Sequence, residues 1–421
     1  MPVKFSIIGA GSTYTPELID GLITYRDKLP VDHICLMDID ESRLNIVAGM
    51  ARRMIEKAGL KAQIETTTDR RRAISDADFI VTQIRVGGMA ARIQDEKIPL
   101  EFGVIGQETT GPGGFMKALR TIPVMLDIAK EIAELAPDAW LINFTNPSGI
   151  ITEALLRNSR IKTIGLCNAP TGVQKAVAEK YGVSVEDVSL NYIGLNHLSW
   201  IDRITVKGED VTVKAIEHIL EERPEEDRVI ARDYHMWMSG YLRYYYFRDK
   251  ALAEMMAAEK TRGELILDID AELMKIYQDV TVAEKPEQLM QRGGKFYSLA
   301  AIRLAGALFN NTDELQVVNV RNENTIPALP FDSVIETTCR INSDGAHPLP
   351  VGKLPVEIRG LVQAVKSYEE LTVRAAVNGS REDALHALLA HPLIPSYTVA
   401  TALLDRLLEA NRQYLPQFFK S

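Results

Sequence analysis

The chain has 421 residues, 46% apolar and 25% charged, which describes a globular chain large enough for two compact domains and argues against disorder. Its 57 acidic residues outnumber 48 basic ones, and the formal charge of −9 argues against a nucleic-acid partner. Three scattered cysteines, Cys35, Cys167 and Cys339, cannot frame a disulfide scaffold and favour a reducing compartment. From Met1 to Ile8 the chain lacks a charged and apolar leader, and no apolar run reaches bilayer length, so the expectation is a cytoplasmic enzyme with no membrane partner. Val3–Ile8, Ile34–Met37, Gln63–Thr66, Phe79–Thr82, Trp140–Phe144 and Thr163–Leu166 read as buried parallel strands. Between them, Thr15-Pro16-Glu17 reads as a helix start with Thr15 as cap. Asp40 to Lys57 carries Leu44, Val47, Met50 and Met54 at helical spacing, with Gly59 as a stop.

Strand and helix in alternation predict an α/β fold, a doubly wound parallel sheet over residues 1–187. From Val188 the pattern changes to longer strands, Asn191–Leu195 and Ile201–Val206, and then to helices, so residues 188–421 are expected to form an α+β domain. Glu217 to Asp233 is dense in charge and contains Pro224, which suits an exposed helix pair or a mobile excursion. Val356–Val373 and Arg381–Leu408 have amphipathic helical spacing that would close the domain or build a homodimer or homotetramer interface.

The first strand runs into Gly9-Ala10-Gly11-Ser12-Thr13-Tyr14, a turn whose glycines let the backbone approach a pyrophosphate while the helix beyond offers free N–H groups. Tyr14 stands where a third glycine is usual. Asp38, at the end of the second strand, is placed to accept from an adenosine ribose and disfavours NADP; it also reads as a helix cap, a role Asp40 could fill instead. Cys167 follows a strand and His197 sits in Gly194-Leu195-Asn196-His197; together they read as a thiolate and imidazole for a divalent ion, or as a buried thiol and a core histidine. Polar loops carry Arg85, Arg92, Glu108 and Asn146, suited to phosphate and hydroxyl groups or simply solvated. Tyr241 opens a tyrosine cluster that also suits packing, and Arg292-Gly293-Gly294 also reads as a helix stop.

These blocks, in this order and over nearly the whole chain, resemble the NAD- and manganese-dependent glycosidases, family four of the glycoside hydrolases. The anchors are Ile8 to Leu18, Gly106-Gln107-Glu108-Thr109, Asn143 to Gly149, Gly165-Leu166-Cys167-Asn168, Gly194 to His197 and Arg292-Gly293-Gly294. The resemblance implies a Rossmann-type sheet and a second domain similar to the lactate/malate dehydrogenase superfamily. It implies NAD+ held by Gly9, Gly11, Ser12, Thr13 and Asp38, and Mn2+ or another divalent ion on Cys167 and His197. Tyr241 then resembles the base acting at carbon 2 of the sugar, with Glu108 supporting the site, and Arg92, Asn146 and Arg292 match substrate-contacting positions. Asn168 replaces the aspartate that the α-specific branch uses as an acid, which resembles the branch cleaving 6-phospho-β-glucosides such as cellobiose 6-phosphate. The implied substrate is a small phosphorylated glycoside, cleaved by oxidation at carbon 3, elimination and water addition. Two alternatives remain at this point, a 2-hydroxy-acid dehydrogenase and a non-catalytic NAD-sensing regulator.

Overall fold

Six short runs of β-branched and apolar residues form the parallel strands β1 (Val3–Ile8), β2 (Val31–Met37), β3 (Gln63–Thr67), β4 (Phe79–Thr82), β5 (Trp140–Asn143) and β6 (Lys162–Gly165). The computed structural model describes residues 3–221, 223–293 and 296–419; Gly294 of the arginine-glycine motif lies outside them. In the sheet the order is β3-β2-β1-β4-β5-β6, so connections leave β1 to both sides. That reversal opens a crevice at the carboxyl ends of β1 and β4, where open sheets bind ligands.

Helices follow the strands as α1 (Thr15–Thr24), α2 (Glu41–Ala58), α3 (Arg70–Ile74), α4 (Gly88–Glu101), α5 (Gly111–Leu135), α6 (Ser148–Asn158) and α7 (Ala169–Tyr181). The start and stop of α2 are those expected: the Asp40 carboxylate accepts from Arg43 N–H, and Gly59 takes the left-handed conformation. Thr15 differs from expectation. Tyr14 occupies the cap, and the Thr15 hydroxyl, one position inside the helix, donates back to the Ala10 carbonyl at 2.8 Å. Arg92 was expected on a loop and lies on α4, with its side chain only 8% exposed. Beneath the contact of α4 with α5, the fully buried Arg120 guanidinium pairs with Asp95 at 2.8 and 2.5 Å. Leaving either charge alone there would cost about 3–5 kcal/mol.

The sheet is not purely parallel. Strands β7 (Val188–Leu195), β8 (Leu198–Val206), β9 (Glu209–Asp210) and β10 (Trp237–Met238) form a separate antiparallel sheet. Further on, β11 (Glu314–Arg321), β12 (Val334–Asn342) and β13 (Gly345–Pro348) return to the first sheet and extend it antiparallel beyond β6, giving nine strands in one layer among the described residues. The charge-dense segment forms a helix pair, Thr212–Leu220 and Glu225–Tyr234. The predicted long C-terminal helix is two, Arg381–Ala390 and Tyr397–Ala410. Pro392 and Pro395 fall in the break, where a missing N–H and a fixed φ stop helix propagation. Most apolar residues of these helices and of Val356–Asn378 pack into the chain's own core, while Val356, Val377, Leu389 and Tyr397 stay exposed. Among the described residues no helix is long and apolar enough to cross a membrane.

Candidate active site

The crevice widens into a cavity of about 2110 Å³ lined by Gly9, Gly11, Ser12, Asp38, Arg92, Glu108, Asn146, Asn168, Tyr241 and Arg292, so residues separated by nearly 300 positions share one space. At its nucleotide end Gly9 has φ +92°, and a Cβ there would meet the Gln83 carbonyl at 3.0 Å. A Cβ on Gly11 would meet the Asp38 carboxylate at 2.9 Å. Backbone packing and a left-handed φ demand glycine at position 9 before any ligand is considered, whereas at position 11 the neighbour is the Asp38 side chain. The Asp38 carboxylate accepts from Gly11 N–H at 2.8 Å and Asp40 N–H at 3.0 Å, which aims it beside the turn and leaves lone pairs for a ribose. Ser12 lines the cavity, whereas Thr13 does not. Thr13 is fully buried, its hydroxyl donating to Asp270 at 2.8 Å. Ile39, Val86, Val124 and Ile128 add apolar side chains to the cavity lining.

Glu108 sits among three cations. Arg85 reaches it at 2.7 Å, Arg92 at 3.1 Å and Lys117 at 3.5 Å. Burial alone would raise its pKa, but Arg85, Lys117 and Arg92 outweigh burial and hold the carboxyl well below its usual range. Burial and the neighbouring arginines push Lys117 down to about 7, against the pull of Glu108. The loop carrying Glu108 is fixed by glycines: a Cβ on Gly106 would stand 1.9 Å from the Glu96 carbonyl oxygen, and one on Gly113 would stand 2.2 Å from that of Gln107. Arg292 lies 4.2 Å over the Tyr14 ring, and its Nε and Nη1 have no hydrogen-bond partner among the described residues. A buried guanidinium with two idle donors at a cavity wall is suited to an anionic or hydroxylated ligand.

Cys167 and His197 come together from different sheets, one after β6, the other at the tip of the β7–β8 hairpin with φ +63°. Cys167 Sγ is 3.6 Å from His197 Nε2. At that spacing one divalent ion could be held by the sulfur and the nitrogen together. No cluster of three or more potential metal-ligating side chains occurs among the described residues, so an ion here would keep positions for substrate and water. Burial, with Glu336, pushes the Cys167 thiol up to about 12, opposed by hydrogen bonds to the sulfur from Ala169 N–H, the Asn196 side chain and Asn168 N–H. The Asn168 and Ala169 N–H groups belong to the start of α7, which favours a thiolate once a cation offsets the burial, and Asn196 adds a donor from the β7–β8 hairpin. Burial also holds His197 down to about 3, so the ring is neutral and able to ligate. The donor chemistry and spacing fit a borderline divalent metal.

The Tyr241 ring lies flat on His197, with centroids 3.7 Å apart and planes 7° from parallel. Burial first, then Cys167 and Glu108, push its phenol well above its usual value. Behind the pair, Glu336 accepts from Asn196 at 2.9 Å and Asn319 at 3.1 Å. Burial raises Glu336 from 4.5 to about 7 despite those contacts. Between these limits the folded chain holds a proton that the unfolded chain releases, so stability falls as pH rises from about 4.5 to about 7 and then levels. Glu336→Gln keeps the accepting oxygen, and its melting midpoint is expected to fall less between pH 5 and pH 8 than that of the unaltered chain. Equal falls would refute the titration.

The sequence matches the model of the family 4 glycosyl hydrolases over residues 4–183, and that of the family's C-terminal domain over residues 192–394. The chain belongs to this family. A curated relative in Bacillus subtilis, a probable 6-phospho-beta-glucosidase, is 46% identical over 99% of this chain and 98% of its own. A solved family 4 structure, the Thermotoga maritima 6-phospho-beta glucosidase with manganese, NAD+ and glucose-6-phosphate, superposes with a TM-score of 0.92 at 39% identity, covering 98% of this chain and 99% of that one. A lactate dehydrogenase from a deep-sea metagenome library shares the fold alone, at 15% identity and a TM-score of 0.54 over 89% of this chain and 99% of that one. Reasoning from sequence missed Lys117, Asp270 and Arg43 in this family 4 site. Lys117 reads as an ordinary polar position of a long helix, and Asp270 meets Arg43 at 2.9 Å across 227 residues of sequence.

Proposed function

We propose that this family 4 chain is a 6-phospho-β-glucosidase that hydrolyses small phosphorylated β-glucosides to glucose 6-phosphate and an aglycone, using NAD+ and a divalent ion such as Mn2+. The full-length identity of 46% to a relative named for that activity carries the reading. Asn168 favours the β-specific branch over the α-specific one.

Bound NAD+ and the divalent ion supply reversible hydride transfer at carbon 3 and polarisation of the oxidised sugar, which acidifies the hydrogen on carbon 2. Cys167 and His197 would hold the ion. Gly9, Gly11 and Ser12 would seat the pyrophosphate at the start of α1, and Asp38 would accept from the adenosine ribose. Thr13 would support that turn from behind through Asp270. Arg92, Asn146 and Arg292 would orient the phosphorylated sugar, while Glu108 gathers the cations around it. Tyr241 would remove the carbon 2 proton. An ordinary phenol titrates at about 10, so a phenolate near neutral pH needs roughly 4 kcal/mol of differential stabilisation. The arginine side chains and the ion's charge are the sources available. This scheme needs no carboxylate pair across the glycosidic bond, and NAD-dependent glycosidases are a known exception to that arrangement.

The test is an assay of nitrophenyl 6-phospho-β-glucoside beside its α-anomer and its unphosphorylated form, with NAD+, Mn2+ and reductant omitted in turn. Cleavage is expected only for the phosphorylated β-anomer, without net NADH. NADH accumulation from a 2-hydroxy acid with no glycoside cleavage would replace this reading by a dehydrogenase.

A further inference from the structure

We infer that Gln107 and Thr109 set the tautomer of His197, which makes Thr109 a positioning residue for the metal site. The consequence for metal binding rests on the proposed role of His197; the tautomer does not. Gln107 Oε1 accepts the backbone N–H of Thr109 at 2.6 Å and of Thr110 at 2.7 Å. A backbone N–H can only donate, so the atom facing both is the amide oxygen and not the amide nitrogen. Thr109 Oγ1 is 2.9 Å from that same oxygen. Two oxygens at this distance need a hydrogen between them, and the hydroxyl proton is the one available. The hydroxyl therefore donates to Gln107 and turns a lone pair toward His197 Nδ1, 3.0 Å away.

Nδ1 must then be the donor. A neutral imidazole with its hydrogen on Nδ1 leaves Nε2 bare, and Nε2 is the nitrogen facing Cys167 Sγ at 3.6 Å. The opposite tautomer would place two acceptors face to face at Nδ1 and turn an N–H toward the position of the ion. The relay has little freedom to rearrange. A Cβ on Gly114 would approach the Thr109 carbonyl oxygen to 2.4 Å, so α5 presses directly on the loop backbone. Thr109 is 9% exposed and His197 8%, which leaves little water to substitute for the hydroxyl.

Long-range 1H–15N correlation on the metal-free full chain with 15N-labelled histidine reads the tautomer directly, the His197 signals being assigned by their loss in His197→Asn. The expected pattern is Nδ1–H with a bare Nε2, retained in Thr109→Ser and shifted toward Nε2–H in Thr109→Val. Titration with Mn2+ alone, followed by its electron paramagnetic resonance signal, should show binding weakened about 10–100-fold in Thr109→Val and restored in Thr109→Ser. An Nε2–H ring in the unaltered chain overturns the inference, as does a Thr109→Val chain that keeps both the tautomer and the Mn2+ affinity. Loss of the glycosidase reading would appear instead as no cleavage of any phosphoglucoside, with the ring pattern untouched.

Discussion

Tyr241→Phe is expected to lower kcat by about 10²–10⁴-fold, the usual contribution of a positioned base, while NAD+ and Mn2+ bind within a few-fold of normal. The argument is geometric. Phenylalanine keeps the flat contact with the His197 ring at 3.7 Å, so the packing that holds the imidazole survives and only the hydroxyl is lost. Activity in the unaltered enzyme then requires the phenol to ionise against burial and against Cys167 and Glu108, all of which raise it. The measurements are steady-state turnover, Mn2+ and NAD+ titrations, and exchange of deuterium from carbon 2 of labelled substrate into solvent. Near-normal turnover in the variant would remove Tyr241 from the mechanism, and full retention of the label by the unaltered enzyme would remove the carbon 2 chemistry itself.

Cys167→Ser should weaken Mn2+ binding by two orders of magnitude or more and abolish turnover at micromolar metal, with little change in the melting temperature of the metal-free chain. The serine is nearly the same size, and the thiol it replaces is a neutral buried group in the absence of a cation, pushed up to about 12 mainly by burial. What disappears is the capacity to become a soft anion when a divalent ion displaces the proton. Alkylating or oxidising the thiol should have the same effect on turnover. Mn2+ titration followed by differential scanning calorimetry separates the two effects, and a serine variant that binds Mn2+ as tightly as the unaltered chain would dismiss Cys167 as a ligand.

The parallel strands could be read because they are short apolar runs bounded by turn residues, and α2 because Asp40 and Gly59 mark its ends by backbone chemistry. Those signals are local. The return of β11–β13 to the first sheet depends on pairing Asn319 with Gly165, more than 150 residues apart, and nothing in either strand announces the other. The same limit applies to the site. Glycines, Asp38, Cys167 and His197 stand at strand ends and turns, where a reading of spacing finds them. Lys117, Asp270 and Arg43 act through partners supplied by tertiary packing. Arg92 was visible as a candidate, but its helix and its pairs with Glu96 and Glu108 were not. Thr15 shows the reverse error, a preferred capping residue displaced one step because its hydroxyl has a better acceptor at Ala10.

The cavity wall carries nine lysine and arginine residues against six aspartates and glutamates, although the whole chain is at −9. A dianionic sugar phosphate approaching an acidic molecule therefore meets a locally basic excess at the crevice, whose field favours its encounter there over other parts of the chain. Capture of such a molecule should slow as added salt shortens the reach of that field, while an uncharged sugar would enter at a rate indifferent to ionic strength.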